Sequence, residues 1–302
     1  MIIVFGSINI DLVTQVPKIP APGETVLGPS YAVIPGGKGA NQALAARRAG
    51  ADVALAGAVG ADGFAETALA LLRADGVDLS ALAIVDAPTG AAFISVDTKA
   101  ENAIVVASGA NALARAEQIS SLRLGPGDIL LLQRETPDAQ GEAAAHAARA
   151  AGARVILNLA PAGAIAETYL RALDALIMNE HEAQAISDSF GLDLSDPADI
   201  ARTVDARFGV TAIVTLGAAG AAGWSSGQSH HAAAPKVTVV DTTAAGDAFV
   251  GAFAAALGRG VDWRAAMNEA AAAGSLACAK RGAQPSLPWH AEIVSVINQS
   301  NL

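Results

Sequence analysis

The sequence predicts an α/β fold, a central and mostly parallel sheet with helices on both faces, plus a small β-sheet lid. Three observations carry that expectation. Short β-branched apolar runs alternate with alanine-rich helical stretches for most of the length. Hydrophobic residues make up 52% of the 302 and charged residues 16%, enough apolar material to fill a large core. Two segments, about 9–35 and 89–106, break the rhythm with strand-like pieces and little helix. No tandem repeat, low-complexity linker or block of charge divides the chain, so residues 1–302 read as one domain carrying two lid segments.

In chain order, the runs 2–5 (IIVF), 53–56 (VALA), 129–132 (ILLL), 155–159 (VILNL), 175–178 (ALIM) and 212–216 (AIVTL) are almost wholly apolar. Strands buried on both faces of a parallel sheet require that pattern. Helical spacing occupies 38–49, 63–75, 139–151, 167–173, 180–187 and 197–208 between them, then 246–258, 262–280 and 289–298. Strand, helix and parallel strand imply right-handed crossovers. In the two lid segments, DLVTQVP, TVLG, YAVI, AAFISVD and NAIVVA predict a small antiparallel sheet beside the main one.

Charge and motif inventory exclude several classes. Nineteen Lys and Arg against 29 Asp and Glu give a net charge of −10, which disfavours a nucleic-acid surface. Gly, Asp, Asn or Arg interrupts each apolar run before the ~20 residues of a membrane span. The start MIIVFGSINIDLV has no basic region and an early acid, unlike a signal peptide. The single cysteine, Cys278, suits a reducing cytoplasm and reads as helix packing. No Walker motif, GxGxxG turn, HExxH or cysteine pair is present. Residues 223–227 (GWSSG) match G-x-S-x-G, with Ser225, Asp247 and His290 in triad order. A nucleophile elbow needs a helix next, whereas QSHHAAAPKVTVV reads as strand, so SSGQS predicts a hairpin turn.

The strongest local signal is VVDTTAAGD at 239–247, where a predicted strand passes through small residues into a helix beginning near Gly246. Small residues let successive backbone N–H groups face one cavity, and the helix dipole adds positive potential there. Asp247 in the mouth of such an anion hole suits a base that accepts a proton from an attacking alcohol. A capping Asp competes with that reading. PGGKGANQ at 35–42 also lies between extended sequence and a helix, with Asn41 one turn in. Glycines there permit close approach to a ligand; a plain turn with a solvated Lys38 is the alternative. Asn9 and Asp11 alternate with Ile8 and Ile10 and so share one face, which fits a pair of sugar hydroxyls or edge solvation. Asn179 and Glu182 sit where a strand meets a helix, suited to Mg²⁺-water and phosphate or to capping. Glu135 reads as a ligand group or a loop acid, and His230 and His231 as surface residues.

Taken together, GSINIDLV, PGETV, GGKGANQA, NAIVVASGANA, LLQRETP, LNLAPA, NEHEA, VTLGAAG and VVDTTAAGDAFVGA resemble, in order, the ribokinase-like carbohydrate kinase family over almost the full chain. The resemblance implies transfer of the ATP γ-phosphoryl group to a sugar hydroxyl, O5 where the sugar is ribose. It implies Asp247 as the base, with the anion hole built by the amides of Ala244, Ala245 and Gly246. Asn9, Asp11, Gly37, Asn41 and Glu135 are implied as sugar ligands, with Asp247 also reaching the acceptor hydroxyl and Lys38 in a steering role. Asn179 and Glu182 are implied on the phosphate and Mg²⁺ side, and Thr215, Gly217 and Gly220 along the nucleotide. An activating K⁺ is implied at Asp241 and Ser286 by side chain and at Thr243, Ala277, Lys280 and Gly282 by carbonyl. The lid would wall the sugar pocket with Ala92 and Ile94 and pair two subunits into a homodimer. Arg134 departs from the apolar residue expected before Glu135. A 2-deoxyribose, fructose or nucleoside kinase, or a catalytically silent sugar-binding protein, shares the same fold expectation.

Overall fold

The computed structural model describes residues 1–99 and 101–300; Ala100, inside the second lid segment, lies outside them. The chain begins β1 (Ile2–Phe5), β2 (Asn9–Gln15), β3 (Tyr31–Gly36), α1 (Lys38–Arg48), β4 (Val53–Gly60) and α2 (Gly63–Ala74). It continues through β5 (Leu82–Val85), β6 (Gly90–Val96), β7 (Asn102–Ala107), β8 (Ile129–Leu132), α3 (Asp138–Ala150) and β9 (Arg154–Asn158). Next come α4 (Glu167–Arg171), β10 (Ala175–Asn179), α5 (Glu180–Phe190), α6 (Pro197–Phe208), β11 (Thr211–Thr215), β12 (Ala221–Ser225) and β13 (Gln228–Ala232). Helices α7 (Ala245–Gly258), α8 (Trp263–Cys278) and α9 (His290–Ser300) complete it.

The main sheet has nine strands in the order β13-β12-β11-β10-β9-β8-β1-β4-β5. It is parallel from β11 to β5, and β12 and β13 add an antiparallel edge. Side chains alternate across it. Ile2, Val4, Ile129 and Leu131 pack with α1, α2, α7 and α8, while Ile3, Phe5, Leu130 and Leu132 pack with α3 to α6. Each fully buried Ile, Leu or Phe contributes roughly 1.5–3 kcal/mol, so two such layers supply the main stabilisation. The alanine-rich helices lie close to one another because little side-chain volume separates them. A Cβ added at Gly251 of α7 would lie 2.5 Å from Ala45 Cβ of α1.

Three expectations change. The lid sheet is mixed rather than antiparallel: in the order β3-β2-β6-β7, β2 and β6 run parallel. TVLG and KVTVV form no strands; Val239 and Val240 are exposed, and the Val240 amide donates to Cys278 O at the end of α8 rather than to a strand. Strand β5 had no clear signal, being a short pairing with the end of β4. The GWSSG stretch is the predicted hairpin, with Ser226 and Gly227 both at positive φ between β12 and β13. Ser225 exchanges a hydroxyl hydrogen bond with Thr211 at 2.8 Å, while Asp247 is bonded to Asn41 and Gln42, so no triad assembles.

Candidate active site

Because β1, β8, β9, β10 and β11 are parallel, their carboxyl ends lie along one edge of the sheet, where α/β folds collect ligands. That edge receives Asn9 and Asp11 after β1, Glu135 after β8, Asn158 from β9, Asn179 from β10 and Thr215 from β11. The lid lies over the same edge, since Asn9 and Asp11 belong to β2 and pair with Gly90 and Ala92 of β6. Ile94 pairs with Val13 one step further along the same face.

Helix α1 is brought close by Gly37, whose φ of +88° suits glycine, and by Gly36, where a Cβ would lie 2.5 Å from both Asp11 carboxylate oxygens. The Lys38 amide and the Ser7 hydroxyl both donate to Glu135 Oε2, at 3.0 and 2.6 Å. Asn111, fully buried, donates to Asn9 Oδ1 at 2.7 Å and so fixes that amide, leaving its Nδ2 available. Asn41 Nδ2 donates to Asp247 Oδ2 at 2.9 Å, while buried Asn41 Oδ1 has no protein partner. A buried acceptor without a donor fits a ligand hydroxyl.

Charge is concentrated here. Burial pushes the Asp11 carboxyl up to about 6, helped by Glu135 and Asp247 and opposed by Lys38. Burial also raises Asp247, against Lys38 and the amide donors of Asn41 and Gln42. Burial alone would depress the Lys38 ammonium, but Asp247, Glu135, Glu182 and Asp11 outweigh it and hold it above the ordinary lysine value. Lys38 is therefore a half-buried cation under the influence of four carboxylates rather than a solvated turn residue.

Ala244 caps α7 in the left-handed region, with φ of +61°. The Ala245 amide donates to Thr242 O at 3.2 Å, and the helical bonding of α7 begins when Ala248 donates to Ala244 O at 2.8 Å. The amides of Gly246 and Asp247 thus stand at an open helix N-terminus. Two cavities meet there. One, of about 260 Å³, is lined by Lys38, Asn158, Asn179, Glu182, Ala244 and Asp247 among others. The second, of about 560 Å³, is lined chiefly by small and apolar groups, including Gly217, Gly220, Val237, Val239, Phe249, Ala271 and Cys278. Thr215, Thr242 and Gly246 line both.

Asn179 and Glu182 form a reciprocal capping box, with Asn179 N donating to Glu182 Oε2 at 2.7 Å and Glu182 N to Asn179 Oδ1 at 2.8 Å. Capping is not the whole account of Glu182. It is buried, it lines the smaller cavity, and desolvation raises its carboxyl while Asn179 and Lys38 pull it back. Behind α7, Asp241 accepts from Thr243 N at 2.9 Å and Oγ1 at 2.6 Å, and from Gly282 N at 2.9 Å. Those bonds overcome the opposing effect of burial and hold Asp241 below the ordinary carboxylate range. The Cys278 carbonyl accepts from Val240 and Asp241, which joins this loop to the end of α8 beside Ala277. Lys280 pairs outward with Glu292 at 2.8 Å, and the buried Ser286 hydroxyl donates to Ala283 O at 2.8 Å.

Arg134 leaves Glu135 undisturbed. Its guanidinium makes a two-pronged pair with Asp138 at 3.0 and 2.6 Å and donates to Ala164 O at 2.9 Å. Sequence reasoning missed Gln42, Gln133, Asn158, Ser7 and Asn111, and gave Cys278 packing alone although it lines the larger cavity.

The pfkB family carbohydrate kinase profile matches residues 1–290. Ribokinase of Haemophilus influenzae is 36% identical over 303 residues, covering 98% of each chain. Ribokinase of Bacillus subtilis is 36% identical over 307 residues, covering 98% of this chain and 99% of its own. Among solved structures, Thermotoga maritima ribokinase superposes with a TM-score of 0.91 at 35% identity, covering 98% of this chain and 99% of its own. Arabidopsis thaliana ribokinase complexed with ribose and ATP gives 0.87 at 30% identity, covering 98% of both. With the family profile matched over nearly the whole chain and relatives at 36% identity over 98% of it, this chain belongs to the pfkB family of carbohydrate kinases.

Proposed function

We propose that this protein is an ATP-dependent ribokinase that phosphorylates D-ribose at O5, giving ribose 5-phosphate and ADP. The observation that carries the reading is the junction at α7, where an apolar cavity of about 560 Å³ and a polar one of about 260 Å³ share the open N-terminus next to Asp247. The apolar cavity suits a nucleotide, with Thr215, Gly217 and Gly220 along it. The polar groups Asn9, Asp11, Gly37, Asn41 and Glu135 suit sugar hydroxyls, under a lid that includes Ala92 and Ile94. The similarity to ribokinases, one of them in complex with ribose and ATP, supports the sugar and nucleotide assignment.

Asp247 accepts the proton of the attacking hydroxyl, and the resulting alkoxide displaces ADP from the γ-phosphorus. The open Gly246 amide and the α7 dipole, beside Ala244, take up charge on the transferring group, while the Ala245 amide donates to Thr242 O; Lys38, which lines the same cavity, supplies a cation. The buried carboxylate of Glu182, with Asn179 alongside in the smaller cavity, would hold a Mg²⁺ brought with ATP, which would offset phosphate charge. Asp241, held ionised, with Thr243, Ala277, Lys280, Gly282 and Ser286, would hold a K⁺, which would add positive potential behind α7. The reading treats the chain as one domain with a lid, paired as a homodimer through that lid, and acting in the cytoplasm. Among the described residues no helix is long and apolar enough to cross a membrane.

A panel of ribose, 2-deoxyribose, fructose and nucleosides with MgATP, in K⁺ and in Na⁺, scored by ADP release, tests the reading. Ribose is expected to give the highest kcat/KM, and K⁺ a higher rate than Na⁺. Preference for a nucleoside or hexose would replace the substrate assignment, and indifference to the cation would remove the K⁺ site.

A further inference from the structure

Gln42 is completely buried, and each polar group of its amide is engaged. Its Nε2 donates to Asp247 Oδ1 and to Asn158 Oδ1, both at 2.9 Å. Its carbonyl accepts from Gln133 Nε2 at 2.7 Å. Because a carboxylate only accepts, the amide has one possible orientation; flipping it would set carbonyl against carboxylate and N–H against N–H. Asn158 is anchored in turn by donating to Ile177 O at 3.2 Å. Three amides from α1, β9 and the segment after β8 thus converge behind one oxygen of Asp247, while Asn41 holds the other. A buried amide is costlier to keep than an apolar side chain of similar size, so stability alone gives little reason for such a chain.

We propose that Gln42, oriented by Gln133 and Asn158, is a positioning residue for phosphoryl transfer, fixing the Asp247 carboxylate in the rotamer that receives the acceptor proton. This rests on Asp247 being the base. Besides Lys38 on α1, the charged groups facing that carboxylate are Glu135 after β8, Asp11 on β2 and Glu182 on α5. Three of those four are acids, so the neutral donors are needed to keep the carboxylate charged. A hydrogen bond to an ionised group is worth on the order of one to two pH units of carboxylate titration.

The test compares Gln42→Met, Gln133→Met and the double variant with Asp247→Asn, after urea unfolding has identified which are folded. For Gln42→Met, kcat is expected to fall about tenfold or more with sugar KM within about twofold, and the acid limb of the pH profile to move up by about one unit. Gln133→Met, which removes the donor to Gln42 without touching Asp247, is expected to give a smaller loss of the same kind. The double variant should be little worse than Gln42→Met alone, since both act through one contact. If Gln42→Met does not fold, the kcat loss and acid-limb shift of Gln133→Met carry the test. An unmoved acid limb in the folded variants, a loss confined to KM, or additive losses would overturn the proposal. Asp247→Asn is expected to abolish turnover; substantial activity there would instead remove Asp247 as the base, separating the two failures.

Discussion

A Cβ at position 246 would meet no atom within 4 Å beyond its chain neighbours and the backbone of its own helix, so packing against the rest of the protein does not require glycine there. The space is on the ligand side, at the junction of the two cavities. Gly246→Ala should therefore leave the fold intact and stabilise α7 by roughly 0.5–1 kcal/mol through helix propensity. Turnover should nevertheless fall tenfold or more, as donors to developing charge are obstructed. Thermal unfolding and kcat measured together check this; equal activity would mean that nothing approaches the Gly246 amide. Asp11 gives a pH-dependent counterpart. Its folded pKa of about 6 exceeds the ordinary 3.8, so between those values the folded state holds more proton than the unfolded chain. Stability contributed by Asp11 accordingly declines as pH rises from about 4 to 6. Asp11→Asn should raise the melting temperature at pH 7.5, lose that advantage near pH 4, and weaken ribose binding far more than ATP binding. Unfolding scans at both pH values, with titrations of each ligand, check all three. Asp247, Asn41 and Lys38 were legible in sequence because each lies in a stretch of small or glycine residues that opens a helix. Gln133 and Asn158 were not, because their meaning is a meeting of three distant elements inside the core.

Helix α1 carries Lys38, Asn41 and Gln42, and its distance from Asp247 is set by how near it lies to α7. Gly251 sets that approach: besides Ala45 Cβ, an added Cβ would come within 2.8 Å of Ala46 N and Gln42 O. Gly251→Leu should cost at least about 1–3 kcal/mol by overpacking and lower kcat, because the two helices separate just where Gln42 reaches the carboxylate. Urea unfolding and steady-state kinetics check it, and unchanged kcat in a destabilised variant would show that the helices give elsewhere. Elements with a continuous apolar run or strong helical spacing were readable: β1, β8, β10 and α6 match their expected spans closely. KVTVV was misread because alternation describes a strand only when a neighbour supplies hydrogen bonds; instead Val240 and Asp241 donate to the end of α8. The parallel pairing of β2 with β6 also escaped, since local pattern carries no strand direction.

On the scale of the molecule, the lid presents an unusual surface. All six residues of β7 are exposed, and Phe93, Ile104, Val105, Val106 and Tyr31 are among the exposed large apolar groups. An apolar edge strand of this kind invites a second copy. Sedimentation should give a dimer for the wild-type chain and a shift to monomer for Val105→Asp, with ribose KM raised if the partner steadies the lid. A monomeric wild type would end the homodimer reading. Fold class, lid location and the carboxyl-edge site were readable from composition and order, whereas the surface that pairs subunits depends on which strands lie outermost. The sheet order also bears on how the chain is made. β1, which precedes every other strand, sits between β4 and β8, and the Met1 ammonium pairs with Asp128 at 2.9 Å, across 127 residues. Its apolar IIVF run keeps one edge unpaired until the chain has been made as far as β8, at Ile129–Leu132. Translation interrupted before β8 emerges leaves that strand half-clad, making such fragments natural clients of chaperones.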